Sequence, residues 1–285
     1  MRAGAFAEPR VIELLNRRFV PFYFNTGGPG LGRDEAAEAF VKGKVKNKWA
    51  HFAAFKPDGT YLEESEIYAD KDGAFEFLLA LLRDNPGFNT MTPEEEKAVA
   101  GEPVVAARIH EALGDYEKAA AAWEKAGAKR EARLGLARIA RFRKDWEAQE
   151  KAVKGLEVDA DVVMENGYRR IAQKKYAGAL ESLEAAIAKY PESPRLAEMR
   201  FYAGVSCWFL EKRDRANFHW CWVVENLPDD HLARRCYIAA AAEGMPYANP
   251  ELDGYALDSQ MGSIEVIKEA YQEALKDYRK VREQK

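Results

Sequence analysis

Asp161-Val-Val-Met-Glu-Asn-Gly-Tyr-Arg-Arg-Ile-Ala-Gln-Lys-Lys-Tyr-Ala-Gly-Ala-Leu-Glu-Ser-Leu-Glu-Ala-Ala-Ile-Ala-Lys-Tyr-Pro191 decides the reading of the whole chain. Its apolar residues recur with the 3.6 period of a helix, and the same spacing returns on either side of it. Gly114-Asp-Tyr-Glu-Lys-Ala119 precedes Trp123 and Ala126; Lys144-Asp-Trp146 stands 30 residues on, and Lys174-Lys-Tyr-Ala-Gly-Ala179 another 30, ahead of Leu183, Ala186 and Pro191. A fourth unit carries Gly204, Ala216, Trp220 and Pro228. A fixed period of this length signals stacked supersecondary units. The small residues predict close approach of the two helices, A and B, of each hairpin. The aromatic after the turn is expected to plug the gap between them, and the proline to stop helix B.

The chain before residue 101 follows a different pattern. Pro9 suits a first helical turn, and Val11, Ile12, Leu14 and Leu15 form its apolar stripe. Strands are expected over Phe19–Asn25, Trp49–Lys56 and Thr60–Ala69, with Asp58-Gly59 as the hairpin turn of the last two. Helices are expected over Asp34–Phe40, with Asp34 as N-cap, and over Asp72–Arg83, with Phe75, Leu78, Leu79 and Leu82 on one face. Thr92, Pro93 and Glu95 have the spacing of a capping box. A charged amphipathic helix is expected over Ser263–Lys285, as a cap or a docking contact.

Composition narrows the function classes. Hydrophobic residues are 47% of the 285, enough for a core, and the net charge of -4 lacks the basic excess of a nucleic-acid binder. No run approaches the roughly 18 apolar residues of a membrane span. The first residues lack the apolar stretch of a signal peptide, so a cytoplasmic chain is expected. The three cysteines, Cys207, Cys221 and Cys236, offer no C-x-x-C pair and read as buried, reduced thiols. His219, Cys221, His231 and Cys236 are set aside as a zinc set, because residues two apart on a helix diverge by about 200°. The glycine loop 27–32 fits neither phosphate-binding pattern. His51, His110, His219 and His231 show no nucleophile–base pairing. No catalytic residue, metal site or cofactor is assigned.

Residues 107–126, 161–191 and 204–228 resemble tetratricopeptide repeats, the second unit being degenerate with Gln149 where a small residue is expected. Residues 6–83 resemble small thioredoxin-like domains found beside such repeats. That resemblance rests on Phe6-Ala-Glu-Pro-Arg-Val-Ile-Glu-Leu-Leu-Asn16, Phe19-Val-Pro21 and Phe55-x-Pro-Asp-Gly59. The family's C-x-x-C pair is absent, and so is its cis-proline, where Lys46-Asn-Lys-Trp49 stands. The fold class implied is α/β plus all-α: a truncated, redox-inactive thioredoxin-like domain at 1–88, a linker at 89–101, helical repeats at 102–262 and the terminal helix at 263–285.

The resemblance to tetratricopeptide proteins implies a non-catalytic scaffold that binds a peptide or partner protein in a groove lined by the A helices. Aligning the repeats puts Arg108, Arg138 and Arg141 at one end of that groove and Tyr168, Tyr202 and Trp208 at the other. Lys129–Lys154 holds nine Lys/Arg against four Asp/Glu, an excess of 9 − 4 = +5, which reads either as a plain solvated basic face or as the cationic end of a groove that suits a partner with an acidic end. The alternative is a thiol-disulfide oxidoreductase or redox chaperone whose cysteine pair lies upstream of Met1.

Overall fold

The computed structural model describes residues 9–21, 35–45, 52–65, 71–241 and 264–283. These are mostly helical, with one two-stranded antiparallel sheet. The chain divides into two compact units that part between Thr90 and Met91.

In the first unit, α1 (Pro9–Arg18), α2 (Glu35–Val41), β1 (Phe52–Phe55), β2 (Tyr61–Ser65) and α3 (Lys71–Asp84) follow in order. The strands form the expected hairpin. Gly59 N donates to Lys56 O at 2.9 Å, Lys56 N to Thr60 O at 2.8 Å, and Asp58 Oδ1 accepts from Thr60 N at 2.8 Å. Gly59 has φ +82°, a conformation that only glycine adopts at little cost. The core uses Val11 and Leu14 of α1 with Ala74, Phe75, Leu78, Leu81 and Leu82 of α3. Three expected core residues fall outside it: Ile12 is exposed, and Leu15 and Leu79 are half-buried. The expected first strand fails over its described part. Residues 19–21 form no strand and Val20 is 94% exposed, as Pro21, which cannot donate to a ladder, would favour. Residues 22–25 lie outside the described residues, as do the glycine loop, Asp34, Trp49 and His51.

In the second unit, α4 (Pro93–Ala100) carries the expected capping box. Glu95 N donates to Thr92 Oγ1 at 3.2 Å, and Thr92 N to Glu95 Oε2 at 3.1 Å. Val99 of α4 packs on a core shared by the next three helices, and residues 91–101 of the expected linker fall within the helical unit. Four antiparallel hairpins follow: α5 (Pro103–Ala112) with α6 (Tyr116–Lys125), α7 (Arg130–Phe142) with α8 (Trp146–Val153), α9 (Ala160–Ala172) with α10 (Tyr176–Lys189), and α11 (Leu196–Phe209) with α12 (Arg213–Asn226). Each second helix also packs on the first helix of the next hairpin, so the hairpins stack as a solenoid.

One turn closes all four hairpins. Its central residue has positive φ: Gly114 +71°, Lys144 +58°, Lys174 +58° and Glu211 +59°. Around it, Asp115 N donates to His110 O and Gly114 N to Glu111 O, and the other three turns repeat both bonds at their own registers. This is a Schellman closure. The residue after it is the N-cap of the next helix, and Asp115 and Asp145 cap theirs by side chain.

In the last two hairpins the residue that fills the gap differs from expectation. Tyr116 stacks on Phe142 at 5.4 Å and Tyr176 on Phe209 at 4.5 Å. Both partners belong to the following hairpin, so the aromatic after the turn joins repeats. The gap inside the hairpin is filled seven residues later, by Leu183 against Gly167 and by Trp220 against Gly204. Ala179 and Ala186 are buried where the repeat requires small side chains. Ala179→Leu is expected to overpack this contact and cost about 1–3 kcal/mol; an unchanged thermal melt would show that the register is wrong.

Pro191 and Pro228 follow the ends of α10 and α12, as expected. The array ends with α13 (Ala233–Ala241) and α14 (Ile264–Glu283). The apolar face of α14 (Ile267, Tyr271, Ala274, Leu275 and Tyr278) is buried against α12 and α13, so it closes the end of the array within the chain.

Candidate binding surface

The first helices of successive hairpins, α5, α7, α9 and α11, are neighbours in space. Their charged side chains bond from one repeat to the next. Glu111 of α5 accepts from Arg138 Nε of α7 at 2.8 Å. Glu165 of α9 accepts from Arg141 Nε of α7 at 3.2 Å. Glu198 of α11 accepts from the Tyr168 hydroxyl of α9. Arg195, just before α11, donates to Glu198 at 2.7 Å and to Asp161 of α9 at 3.3 Å.

Three arginines of the basic stretch, Arg130, Arg138 and Arg141, are thereby paired with carboxylates from outside it. Arg130 pairs with Asp159 and Asp161, and Arg133 donates to the carbonyls of Ala152 and Lys154. Burial works against the charge of Arg138, but Glu111 outweighs it and holds the guanidinium above its ordinary pKa. The +5 excess along the sequence is therefore not a free cationic surface at Arg130, Arg133, Arg138 or Arg141.

Glu165 is only 1% exposed. It is held by Arg141 and by Gln149, whose Nε2 donates to Glu165 Oε2 and to Glu165 O, both at 2.9 Å. Gln149 occupies the position of Ala119 and Ala179 in the neighbouring repeats. The missing small residue is thus a donor to a buried carboxylate, and the degenerate repeat has a polar centre in place of an apolar one.

The aromatic side chains continue the line. Arg141 Cζ lies 4.1 Å from the centroid of Tyr168, and Tyr168 meets Tyr202 edge-on at 5.0 Å. Of the six candidate residues, the structure brings these three into one stack, with Arg138 beside it. Arg108 is largely exposed and pairs with Glu131. Trp208 stands apart. It lies six residues beyond Tyr202, a rotation of about 120° off that line, and it carries Arg213 over its ring at 4.6 Å. Compared with protein-family models, curated proteins and solved structures, the chain matches none. Glu111, Glu165, Glu198 and Arg195, with the buried Gln149 behind them, belong to this bonded network; the sequence marked only Gln149, as a departure from the repeat, because no local signal marks an acid as the partner of an arginine more than 20 residues away.

The three thiols are free and buried. Burial pushes Cys207 up to about 12 and raises Cys236 as well, so neither supplies a thiolate at neutral pH. Among the described residues no cluster of three His, Cys, Asp or Glu could hold a metal ion. His219 is buried at the centre of α12, with Nε2 3.2 Å from Glu184 Oε1 of α10. Arg215 also bonds that carboxylate.

Contact with His219, then with Arg215, holds Glu184 down at about 2, and burial lowers His219. Both groups bind protons less readily folded than unfolded. Their contributions to stability are complete above about pH 6.5. The His219 contribution falls as pH drops below that value, and the Glu184 contribution falls from about pH 4.5 toward 2. Thermal melts across this range are expected to show a steady loss, and Glu184→Gln should flatten the part below pH 4.5. A wild-type melt independent of pH from 7 to 3 would refute it.

Proposed function

We propose that the helical unit is a protein-interaction scaffold of tetratricopeptide type, and that the first unit is a thioredoxin-like domain without a redox pair. The observation that carries the reading is the continuous Arg141–Tyr168–Tyr202 stack across three consecutive hairpins. Half-buried tyrosines on rigid helices offer large contact area at low entropy cost. The ion pairs beneath them fix the helices against one another, which favours a preorganised surface. A partner would be held by these rings, with affinity set mainly by dissociation.

The test is partner capture by the immobilised full chain, with Tyr202→Ala as the probe and Lys276→Ala on the distant α14 as control. Loss of the captured proteins with Tyr202→Ala alone, in a variant folded by circular dichroism, supports the reading. An unchanged set sinks it. A thiol-disulfide exchange role would require the same chain to reduce insulin; with buried thiols it is expected not to.

A further inference from the structure

The half-buried arginines of this chain meet acceptors. Arg138, Arg141, Arg169 and Arg195 pair with carboxylates, and Arg170 donates to Gly178 O and Ser182 Oγ. Arg200 of α11 and Arg235 of α13 are exceptions. Among the described residues neither has a carboxylate or carbonyl partner, and in each the Nε is buried without an acceptor while the two terminal nitrogens are not enclosed. Their flat faces lie on rings instead. Arg200 Cζ is 3.6 Å from the centroid of Trp222, with Phe218 at 6.0 Å, and Arg235 Cζ is 4.6 Å from Phe201.

The repeat shows what is missing at Arg200. Arg133 and Arg200 both stand eleven residues before the positive-φ residue of their turn, Lys144 and Glu211. Arg133 is satisfied by the carbonyls at the end of α8, which stops at Val153. The equivalent helix, α12, runs on to Asn226. Its carbonyls at that level are bound within the helix, and Trp222 presents its ring. Arg200 is the same arginine with its acceptor removed.

A guanidinium taken partly out of water without a counter-charge costs stability, and stacking offsets only part of that cost. Burial lowers Arg200 to about 10, so it remains a cation at neutral pH. With Nε enclosed, the open edge is the pair of terminal nitrogens, which matches a carboxylate approaching end-on with two parallel hydrogen bonds.

We infer that Arg200, seated on Trp222, and Arg235, seated on Phe201, receive carboxylates from an acidic segment of a partner protein. This rests on the scaffold reading and relocates its charge recognition: Arg138 and Arg141 are already neutralised, whereas the half-buried cations without a carboxylate among the described residues, Arg200 and Arg235, stand on α11 and α13 at the other end of the array. The net charge of -4 opposes any anionic occupant, and it opposes a nucleic acid, with a phosphate at every nucleotide, more than a short acidic peptide.

The test titrates a hexaglutamate peptide into the full chain at fixed ionic strength, read by tryptophan fluorescence. Saturable binding is expected, weakened about tenfold by Arg200→Met and by Arg235→Met. Arg200→Lys, which keeps charge but loses the fork, should lie between. Arg200→Met should melt at the wild-type temperature or above it, because it removes a cation that has no carboxylate partner among the described residues. The inference is overturned if wild type shows no saturable binding, if both methionine variants bind as wild type does, or if Arg200→Met melts markedly lower, which would make the arginine structural. Saturation by an oligonucleotide in place of the peptide also overturns it. If hexaglutamate fails while Tyr202→Ala still strips captured partners, the scaffold reading stands and only this inference falls.

Discussion

Gly204→Ala is expected to lower stability by about 2–3 kcal/mol, a drop of roughly 5–10 °C in melting temperature. A Cβ at this position would stand 2.3 Å from Nε1 and 2.6 Å from Cε2 of Trp220. The ring cannot swing aside. Trp220 is fully buried, and its indole N–H donates to Phe201 O at 3.1 Å. To admit the methyl group, α11 and α12 must separate, exposing the largest core of the chain. Alanine is the better helix former by about 1 kcal/mol, so the overpacking term is being read net of that gain. Gly178→Ala in α10 isolates the gain: nothing lies within 4 Å of its Cβ, and it should stabilise by about 0.5–1 kcal/mol. Opposite signs for two glycine-to-alanine changes in helices of one array, measured by urea unfolding, are the expected result. Equal signs would refute the close contact at Trp220.

The repeat was legible because its constraints are local. Small residues at fixed spacing, a proline after helix B and the Thr92–Glu95 capping box each act over a few residues. The turn was legible only at Gly114. Lys144, Lys174 and Glu211 hold the same left-handed conformation, and nothing about a lysine or a glutamate announces it. What joins one repeat to the next was not legible. Tyr116 was assigned to its own hairpin, whereas the ring it meets, Phe142, is 26 residues on. The start of the expected first strand, Phe19–Pro21, shows the opposite failure. An aromatic run resembled a buried strand, yet the backbone there joins no sheet among the described residues and leaves Val20 in solvent.

Arg141→Met is expected to cost about 3 kcal/mol, because it removes the counter-charge of a carboxylate that is shut off from water. Methionine keeps much of the apolar stem, so the loss measures charge more than packing. The Glu165 side chain is 2% exposed and that of Arg141 is 18% exposed, so solvent cannot replace the lost partner. Gln149 remains as a neutral donor and limits the damage. Glu165→Gln on the Arg141→Met background removes the stranded charge and should recover part of the loss. A coupling energy of at least about 1 kcal/mol is expected from the double-mutant cycle. If the two changes add without coupling, the pair does not hold α7 to α9. The sign also bears on how binding is probed. Arg141→Glu would set a second carboxylate against Glu165, and Arg138→Glu one against Glu111. Charge reversal at these positions therefore tests the integrity of the stacked hairpins, and any loss of a partner that follows reports on folding before it reports on recognition.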